Sequence, residues 1–465
     1  MIPEQSEPVL GDGAKWLDRF RAVHPQAACR DHDPKFGPVF VRGQGARLWD
    51  VAGQDYLDLT CGYSAANFGH AFAPLVAAAE RQLRQLTHLT GEPHAARIEL
   101  AERLIELLEI PARFSKVMFN VSGARAIETA WKAALAYRPG KLLTLGPCFH
   151  GRSLATSSLS NASASRDWGV VQREQIVHRQ EYPYCAACVH QLSYPSCHLH
   201  CVQALWAMIR HSAADLSAVL VEPAIGARGY IFPPPTFLQQ LRRVTAEEGI
   251  LLIADEVQTA LGRCGDWLLS RQQGWQPDLL VLGKSLGGGI APLSAVVGRG
   301  DVLECLPAGS ESETFAGSPL ATAVALEVLR QLQHGGWMQR GVQLGQALRD
   351  GLAEELAQLP ARPAEAGHAL VQGSMVQDGM VQGQAATCIV EFASSGAVTS
   401  EPLLHRAQRR AKQFAQACQR QRLLVHFSGP LATRVVLLPP LTLSDEELSE
   451  VQRRLQRAVQ QQADE

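Results

Sequence analysis

The sequence has no excess of charge of either sign. Its 465 residues include 43 Lys and Arg against 45 Asp and Glu, for a formal net charge of −2. Proteins that bind nucleic acid or an acidic membrane surface through their electrostatic field carry a marked basic excess. The near balance argues against both partners, and we expect a small-molecule ligand instead.

Long hydrophobic runs are also missing. No stretch of the chain approaches the roughly 18 consecutive apolar residues of a membrane-spanning helix. The first residues, MIPEQSEPVLGDGAKWLDRF, have neither the basic start nor the apolar core of a signal peptide. These absences lead us to expect a soluble protein of the cytoplasm.

Cysteine is too sparse for a disulfide scaffold, since the 11 cysteines are an odd number in a long chain. Four of them, Cys185, Cys188, Cys197 and Cys201, cluster with three His in PYCAACVHQLSYPSCHLHC. The CxxC pair is typical of zinc and iron–sulfur sites, but the second pair is spaced CxxxC. We expect no metal and free thiols or a conditional disulfide, and a structural metal site is the alternative.

What the sequence does contain is the pattern of an α/β fold. Apolar residues make up 46% of the chain, enough for a large core. From Lys116 to Gly298, apolar runs such as VMFNV, AVLVEP, GILLIADEV and DLLVLG alternate with helical stretches such as AIETAWKAALAY and FLQQLRRVTAEEG. This alternation predicts a mostly parallel sheet covered by helices.

The two ends of the chain differ from this middle part. Arg47 to Leu59 reads as a hairpin, and the C-terminal part reads as strand, helix, strand and a last helix from Ser444. Ala364 to Gln384 repeats VQG, VQD and VQG, and we expect an exposed insertion there. The predicted domains are a large one of residues 76–330 and a smaller α+β domain of residues 1–75 and 331–465.

Lys284 is the first candidate for chemistry. It follows the apolar run PDLLVLG and precedes a Gly cluster, which places it at a strand end beside permissive backbone. A lysine whose pKa is lowered by burial or by a nearby cation can condense with an aldehyde cofactor. A surface lysine in a Gly-rich turn fits the local pattern equally well.

Asp255 is the second candidate. Five apolar residues in GILLIADEV lead into Asp255 and Glu256, so both carboxylates stand at the end of a buried strand and need partners. Asp255 would have one in the protonated ring nitrogen of pyridoxal 5′-phosphate, because its charge keeps that ring an electron sink. The alternative is an Asp that caps the next helix.

Several ordered motifs resemble those of the class III aminotransferases, which are fold-type I enzymes that use pyridoxal 5′-phosphate. They are GHAFAP, SGARA, DEVQ with GR.G, PDLL..GKSLGGG, ETFAGSPLATAVALEVL and PPL. The resemblance covers nearly the whole chain and implies that family's α/β fold. It also implies transamination, in which an amino acid or (di)amine donor leaves its nitrogen on the cofactor and an oxo acid or aldehyde collects it in a ping-pong cycle.

The resemblance implies a role for each matching residue. Lys284 would hold the cofactor as a Schiff base and shuttle a proton, and Asp255 would pair with the ring nitrogen. Val257 would pack on one face of the ring and Phe149 on the other. Gln258 would hydrogen-bond the ring hydroxyl.

Three further positions follow from the same resemblance. His150 follows Phe149 as in the family and is counted among the cofactor-binding residues. Glu222, in VEPAIGARGY, matches a glutamate near the ring hydroxyl and the substrate, which makes it the third candidate catalytic residue. Thr314 matches a residue whose hydroxyl reaches the phosphate of the neighbouring subunit's cofactor, so the resemblance implies a homodimer with shared active sites.

The phosphate site also follows from physical reasoning. Ser122, Gly123 and Ala124 stand at the start of a helical stretch, where free N–H groups and the positive end of the helix dipole bind an anion. The family usually has Ser or Thr and then Glu after this glycine, and here Ala124 and Arg125 replace them. One hydrogen bond to phosphate, worth roughly 1.5–3 kcal/mol, is missing. Arg125 either adds positive charge there or, as we expect, faces solvent.

The residue that binds the substrate carboxylate in many relatives also differs here. Many relatives carry an Arg three residues before PPL that binds the substrate carboxylate, and Val436 stands at that position here. Arg434 shares its strand face but lies roughly 6–7 Å away along the strand. It either replaces the missing Arg or is an ordinary exposed Arg, so the donor cannot be named from the sequence.

Two alternatives to transamination are left open by the sequence. Racemases, epimerases and a few decarboxylases resemble this family throughout these motifs and would use Lys284 and Asp255 equally. A non-catalytic relative is the other alternative, suggested by the altered SGARA loop and the missing Arg.

Overall fold

The computed structural model describes residues 11–25, 38–110, 115–160, 173–358, 374–376, 379–392 and 400–464. The α-helices of these ranges, α1 to α14, are Gly13–Val23, Cys61–Ser64, Ala73–Gln85, Ala95–Leu107, Gly123–Tyr137, Leu154–Leu159, Gln203–His211, Pro235–Glu247, Leu269–Gln272, Gly300–Leu303, Pro319–His334, Trp337–Ala357, Glu401–Arg420 and Asp445–Asp464. The strands, β1 to β16, are Phe40–Gln44, Arg47–Asp50, Asp55–Asp58, Ser115–Asn120, Lys141–Leu145, Ile176–Arg179, Leu216–Val221, Leu251–Asp255, Leu279–Leu282, Ser294–Arg299, Ser374–Val376, Gly379–Gln382, Cys388–Glu391, Leu423–Leu424, His426–Ser428 and Arg434–Leu437.

The centre of the fold is a seven-stranded sheet in the order β4-β10-β9-β8-β7-β5-β6. The neighbours from β9 to β6 pair in parallel, whereas β10 runs antiparallel to both β4 and β9. Parallel neighbours need long crossover connections, and the helices between the strands supply them. The prediction of a mostly parallel sheet covered by helices is confirmed.

The central strands are apolar on both faces of this sheet. Along β8, Leu252 and Ala254 belong to one apolar cluster, whereas Leu251 and Ile253 belong to the cluster on the opposite face. Successive side chains of a strand point to opposite faces, so both faces of the sheet are covered. This explains why the strands read in the sequence as continuous apolar runs.

The carboxyl ends of the parallel strands bring most of the candidate residues to one edge of the sheet. Glu222 follows β7, Asp255 ends β8 and Lys284 follows β9 closely. The segment after β5 leads to Phe149, and the one after β4 leads to Ser122. Ligands of open α/β sheets bind in the crevice at this edge.

The two ends of the chain meet in a second apolar core. β3 pairs in parallel with β14 at the edge of a four-stranded sheet ordered β1-β2-β3-β14. Leu57 and Leu59 pack in one cluster with Leu352 and Phe414. The predicted hairpin is present as the antiparallel pair β2 and β3.

The VQG-rich segment is described only in part, and residues 364–373 and 377–378 lie outside the described residues. β11 and β12 extend a five-stranded antiparallel sheet ordered β11-β12-β13-β16-β15. Val381 of β12 is 3% exposed and lies in the second core. The expectation of an exposed insertion is therefore wrong at this end, because GMVQ pairs with β13 and buries its valine. Within the described ranges, no helix is both long and apolar enough to cross a membrane.

Candidate active site

A buried pair of Asp255 and His150 lies where β8 ends. Asp255 is 6% exposed; its Oδ2 lies 2.8 Å from His150 Nδ1, and its Oδ1 accepts a hydrogen bond from the N–H of Val257 at 3.1 Å. Burial lowers the pKa of His150, but Cys148 and Asp255 outweigh it and raise that pKa well above its ordinary value. The contact of Nδ1 with Oδ2 orients the Asp255 carboxylate.

Lys284 reaches this region from the end of β9. It opens a 3-10 turn, Lys284–Gly287, with a φ of 45°, in the left-handed region that non-glycine residues rarely adopt. Its Nζ donates a hydrogen bond to Gln258 Oε1 at 2.5 Å. Strained backbone of this kind is concentrated at functional sites, and Lys284 is only partly exposed, which favours a functional lysine over a solvated one.

Val257 lies between two glycines that allow a close approach. A Cβ atom on Gly123 would stand 3.1 Å from Val257 Cγ1, and one on Gly283 would stand 3.3 Å from the same atom. Glycine at these positions lets the start of α5 and the end of β9 pack against Val257. Val257, Gln258 and Lys284 are thereby brought together with the start of α5.

Helix α5 begins beside Val257 with unpaired N–H groups. Ser122 is its N-cap, and Ser122 Oγ accepts a hydrogen bond from the N–H of Arg125 at 3.3 Å. The backbone N–H groups of Gly123 and Ala124 have no hydrogen-bond partner among the described residues. These two donors and the helix dipole form a site suited to an anion.

Glu222 is a buried carboxyl that connects two loops. It is 5% exposed; its Oε1 accepts from the N–H of Phe149 and its Oε2 from the N–H of Gly226, both at 2.9 Å. Burial raises the pKa of Glu222 to about 7, although His150 and the two N–H groups lower it. The sequence did not reveal these two bonds, since they join residues far apart in the chain.

Thr314 stands apart from the other candidate residues. It lies in an exposed turn before α11, and its hydroxyl makes no hydrogen bond within the part of the chain that the structure describes. Its neighbour Phe315 is 62% exposed. The single chain therefore brings together every predicted site residue except Thr314.

Arg125 is ion-paired, so the expectation that it faces solvent is wrong. Its Nη1 donates to Glu128 at 2.6 Å, its Nε donates to Glu313, and its Nη2 lies 3.4 Å from Glu311 Oε2. Burial lowers the pKa of Arg125, but these carboxylates raise it above its ordinary value. The guanidinium is therefore held away from the anion site and ties the start of α5 to the loop before Thr314.

Arg434 is not an exposed arginine either, since it is 1% exposed at the start of β16. Its Nε donates to Glu391 at 2.6 Å and to Tyr184 Oη at 3.0 Å, and its Nη1 donates to the carbonyls of Gly229 and Tyr230. Glu391 already balances its charge inside the protein. Arg434 thus does not provide a free grip for a substrate carboxylate.

The four clustered cysteines are free thiols. Within the described ranges, no group of three or more His, Cys, Asp and Glu is arranged to hold a metal ion. Burial and neighbouring thiols raise the pKa of Cys185 to about 12 and that of Cys201 to about 11. These two thiols stay protonated near neutral pH and are poor nucleophiles.

The similarity to known proteins extends over nearly the whole chain. The family model Aminotransferase class-III matches residues 28–459. The 4-aminobutyrate aminotransferase GabT of Escherichia coli is 35% identical over 326 residues, which are 68% of this chain and 73% of that protein. The acetylornithine aminotransferase of Streptomyces clavuligerus is 32% identical over 413 residues, which are 89% of this chain and 88% of that protein.

A solved structure agrees with these relatives. An amine transaminase from an uncultivated Pseudomonas species, in its PLP-bound form, superposes with a TM-score of 0.78 at 27% identity and covers 94% of this chain and 98% of that one. The chain belongs to the class III aminotransferase family. It is an aminotransferase that depends on pyridoxal 5′-phosphate, as the motifs of the sequence led us to expect.

The residues present fit that cofactor. Gln258 Nε2 is buried and has no hydrogen-bond partner within the described ranges, which suits a donor to an oxygen of the cofactor. The free N–H groups of Gly123 and Ala124 suit its phosphate, and the amine of Lys284 lies beside Gln258 for its aldehyde. Donors for the phosphate and the ring hydroxyl, and an amine for the aldehyde, are therefore present around Val257.

A chain of hydroxyls behind Gln258 is one feature that sequence reasoning missed. Tyr230 Oη donates to the Gln258 carbonyl at 3.2 Å and lies 2.9 Å from Ser64 Oγ. Tyr230 is 1% exposed and Ser64 also 1%. Serine and tyrosine in glycine-rich segments occur too widely to signal this support before the fold is known.

Proposed function

We propose that the residues at the strand ends hold pyridoxal 5′-phosphate, with Lys284 as the catalytic amine. The observation that carries this proposal is the contact of Lys284 Nζ with Gln258 Oε1 at 2.5 Å, beside the start of α5. Pyridoxal 5′-phosphate supplies an electron sink next to the reacting carbon when it is bound. Lys284 Nζ would anchor the cofactor at its aldehyde and move the proton at the amino-bearing carbon of the substrate.

The other residues would position the ring. The Asp255 carboxylate, oriented by His150, would keep the ring nitrogen protonated. Val257 and Phe149 would flank the two faces of the ring, and Gln258 would donate Nε2 to the ring hydroxyl. Burial of Asp255 and the unpartnered Gln258 Nε2 support these assignments, because buried polar groups need partners.

The phosphate would bind at the start of α5. Ser122, Gly123 and Ala124 would surround it, and the two free N–H groups support this role. Glu222 would act near the ring hydroxyl and the substrate, since its carboxyl holds the backbone of Phe149. Thr314 would complete the phosphate site of a second subunit.

The substrates are proposed by class. The donor would be an amino acid or a (di)amine, and the acceptor an oxo acid or an aldehyde, in a ping-pong cycle. The names of the relatives support a donor with a primary amino group, since one acts on 4-aminobutyrate and another on acetylornithine. In the cycle, the chain's own groups bind, orient and move protons, and the nitrogen passes from donor to acceptor.

Removal of the amine of Lys284 tests the proposal. We expect Lys284→Ala to lose the visible absorption band of the lysine-bound cofactor and to slow transamination by roughly 100- to 10,000-fold. The matched control is Lys116→Ala, which removes a lysine whose side chain is 60% exposed and paired with Glu304. A Lys284→Ala enzyme that keeps the band and the rate would refute the assignment.

A set of amino donors, tested without an acceptor, distinguishes transamination from racemisation and decarboxylation. The cofactor-loaded enzyme is mixed with α-amino acids, ω-amino acids and diamines without an acceptor. Transamination releases one oxo product per active site and bleaches the visible band. Racemisation would give the opposite enantiomer on chiral chromatography with no oxo product, and decarboxylation would release carbon dioxide.

The assembly and organisation of the chain are also proposals. A homodimer is supported by the exposed Thr314 and by the exposed apolar side chains of Phe315, Leu86 and Ile290. A large domain of residues 76–330 and a small one of residues 1–75 and 331–465 are supported by the separate apolar cores. A cytoplasmic location is supported by the free thiols.

A further inference from the structure

Arg228 lies in a turn that is fixed on several sides. The N–H of Gly229 donates to the carbonyl of Gly226 at 3.1 Å, and the N–H of Gly226 donates to Glu222 at 2.9 Å. Arg434 Nη1 donates to the carbonyl of Gly229 at 2.8 Å from the other side. The backbone that carries Arg228 is therefore held in one position.

The guanidinium of Arg228 nevertheless has no hydrogen-bond or ion-pair partner among the residues that the structure describes. Its Nε is buried without a hydrogen bond, and it takes part in no ion pair among the described residues. Burial lowers the pKa of Arg228, although the Coulombic effects of Cys148 and Glu222 raise it. The fully buried arginines differ, because Arg434 is paired with Glu391 and Arg263 donates to Asn67 and to two carbonyls.

A half-buried cation without a partner is unfavourable in the free protein. Loss of hydration without a hydrogen bond or a counter-charge costs free energy, and proteins avoid it except where a ligand completes the arrangement. A guanidinium offers a planar pair of donors that matches a carboxylate. The chemistry of Arg228 therefore calls for an anion with that geometry.

The turn of Arg228 borders the reacting side of the site. A Cβ atom on Gly226 would stand 2.8 Å from Gln258 Cδ, so the turn packs directly on the side chain that contacts Lys284. The start of α5, with its free N–H groups, packs on Val257 instead. The turn that carries Arg228 thus packs on Gln258, whereas the start of α5 packs on Val257.

Many relatives have an arginine that binds the substrate carboxylate at the position of Val436, and this position cannot bind a carboxylate here. Val436 is fully buried in an apolar cluster that includes Ala224 and Tyr230. Arg434, two residues before it, is neutralised by Glu391. Neither residue of β16 is available to an anionic substrate.

We propose that Arg228 binds a carboxylate of the substrate, so that the enzyme acts on amino acids and oxo acids in preference to simple amines, diamines and aldehydes. This inference rests on the proposed function of Lys284. It replaces the family's grip on β16 with one on the turn after β7. Arg228 would set specificity through the binding of donor and acceptor alike.

Binding of an inert carboxylate tests the inference without any reaction. Glutarate is titrated into the cofactor-loaded enzyme by calorimetry, with Arg228→Gln, Arg228→Lys and the control Arg243→Gln, whose side chain is 67% exposed. We expect Arg228→Gln to weaken glutarate binding roughly 10- to 100-fold, the value of a charged hydrogen bond. Arg228→Lys is expected to keep part of the affinity for glutarate. The control Arg243→Gln is expected to bind glutarate as tightly as the wild type.

Matched donors provide the second measurement. Reaction of 4-aminobutyrate is compared with that of propylamine, and of alanine with that of ethylamine, each pair differing by one carboxyl group. We expect Arg228→Gln to lower kcat/KM only for the amino acids, through KM. An equal loss for both members of a pair, or a loss of cofactor affinity in place of carboxylate affinity, would overturn the inference.

The two proposals fail in different ways. If glutarate binding depends on Arg228 but no donor releases an oxo product, the result contradicts transamination by Lys284 and supports the carboxylate site. If amines react and glutarate binding is unchanged in Arg228→Gln, the result contradicts the carboxylate site and supports the role of Lys284.

Discussion

At the scale of single residues, the two buried carboxyl groups of the site, Asp255 and Glu222, have different hydrogen-bond partners. Asp255 faces the imidazole of His150, whereas Glu222 accepts only backbone N–H groups. Burial disfavours the ionised carboxylate, and the pKa of Glu222 is accordingly raised to about 7. Glu222 is thus the carboxyl of the site that changes its protonation near neutral pH.

This shift predicts a pH-dependent stability. Because the pKa of Glu222 is raised from 4.5 to about 7, its stabilising contribution is complete below pH 4.5 and is lost as the pH rises through 7. Between pH 5.5 and pH 8, we expect the free energy of unfolding of the wild type to fall by about 2 kcal/mol relative to Glu222→Gln. Urea titrations of both cofactor-loaded proteins at the two pH values measure this change, and a constant difference would contradict it.

Arg125 shows how a departure from the family pattern is accommodated at a single position. Glu128 on α5 and Glu311 and Glu313 before α11 surround the guanidinium. The lost hydroxyl at Ala124 and the reversed charge at Arg125 therefore have separate consequences. The first removes a donor from the proposed phosphate site, and the second fixes the loop that carries Thr314.

At the scale of elements, the packing of α12 depends on where its glycines lie. A Cβ atom on Gly345 would stand 1.5 Å from the carbonyl oxygen of Ala385, so the helix can pass this backbone only with glycine. A Cβ atom on Gly351 would meet the flexible side chain of Gln452, at 3.3 Å from its Nε2. The two glycines share a helix but differ in what they contact.

These contacts predict opposite effects of the same substitution. We expect Gly345→Ala to lower the free energy of unfolding by about 1–3 kcal/mol, because the backbone of Ala385 must move. Gly351→Ala is expected to raise it by about 0.5–1 kcal/mol, since alanine favours the helix. Denaturant titrations of the two variants check both signs, and stabilisation by both substitutions would show that helix propensity alone decides.

The buried pair of Arg434 and Glu391 acts at the same scale. It joins β16 to β13, and through the carbonyls of Gly229 and Tyr230 it reaches the turn after β7. Such a pair stabilises little on balance, but loss of one member leaves a buried charge. Its position explains how a residue of the C-terminal sheet fixes the turn that carries Arg228.

At the scale of the whole molecule, the single chain leaves Thr314 and several large apolar side chains exposed. Thr314 is exposed, Phe315 is 62% exposed and packs against His88, and Ile290 and Leu86 are 39% and 36% exposed. Exposed apolar side chains of this size are typical of subunit contacts. A second subunit would cover these residues and would use the Thr314 hydroxyl.

The dimer proposal predicts a coupling between assembly and cofactor binding. We expect a solution mass of twice the 50.5 kDa of the chain, and a monomer for Phe315→Glu. Thr314→Ala should weaken cofactor binding roughly 10-fold or more through loss of a hydrogen bond to phosphate, while Thr314→Ser retains the hydroxyl. Light scattering and cofactor titration measure both effects.

A negative result for the dimer would be clear. In the Phe315→Glu monomer, Thr314→Ala should have no further effect on cofactor affinity, because each hydroxyl serves the other subunit. Equal affinities of Thr314→Ala and Thr314→Ser in the wild-type assembly would remove Thr314 from the phosphate site.

The sequence by itself determined the sheet and the placement of Asp255 and Lys284. Continuous apolar runs form strands buried on both faces, and polar residues directly after them must lie at the carboxyl edge. These are local properties of the chain, so a pattern of residues is enough to reveal them. The family resemblance then named the cofactor and the reaction.

Only the tertiary structure decided which charges are paired. Arg434 and Glu391 are 43 residues apart, and Arg125 and Glu313 are 188 apart, so no local pattern shows that they meet. Arg228 is the opposite case, since no other residue that the structure describes pairs with it. The energy of a charge depends on burial and on neighbours brought by distant segments, and for that reason it is fixed only when the chain is folded.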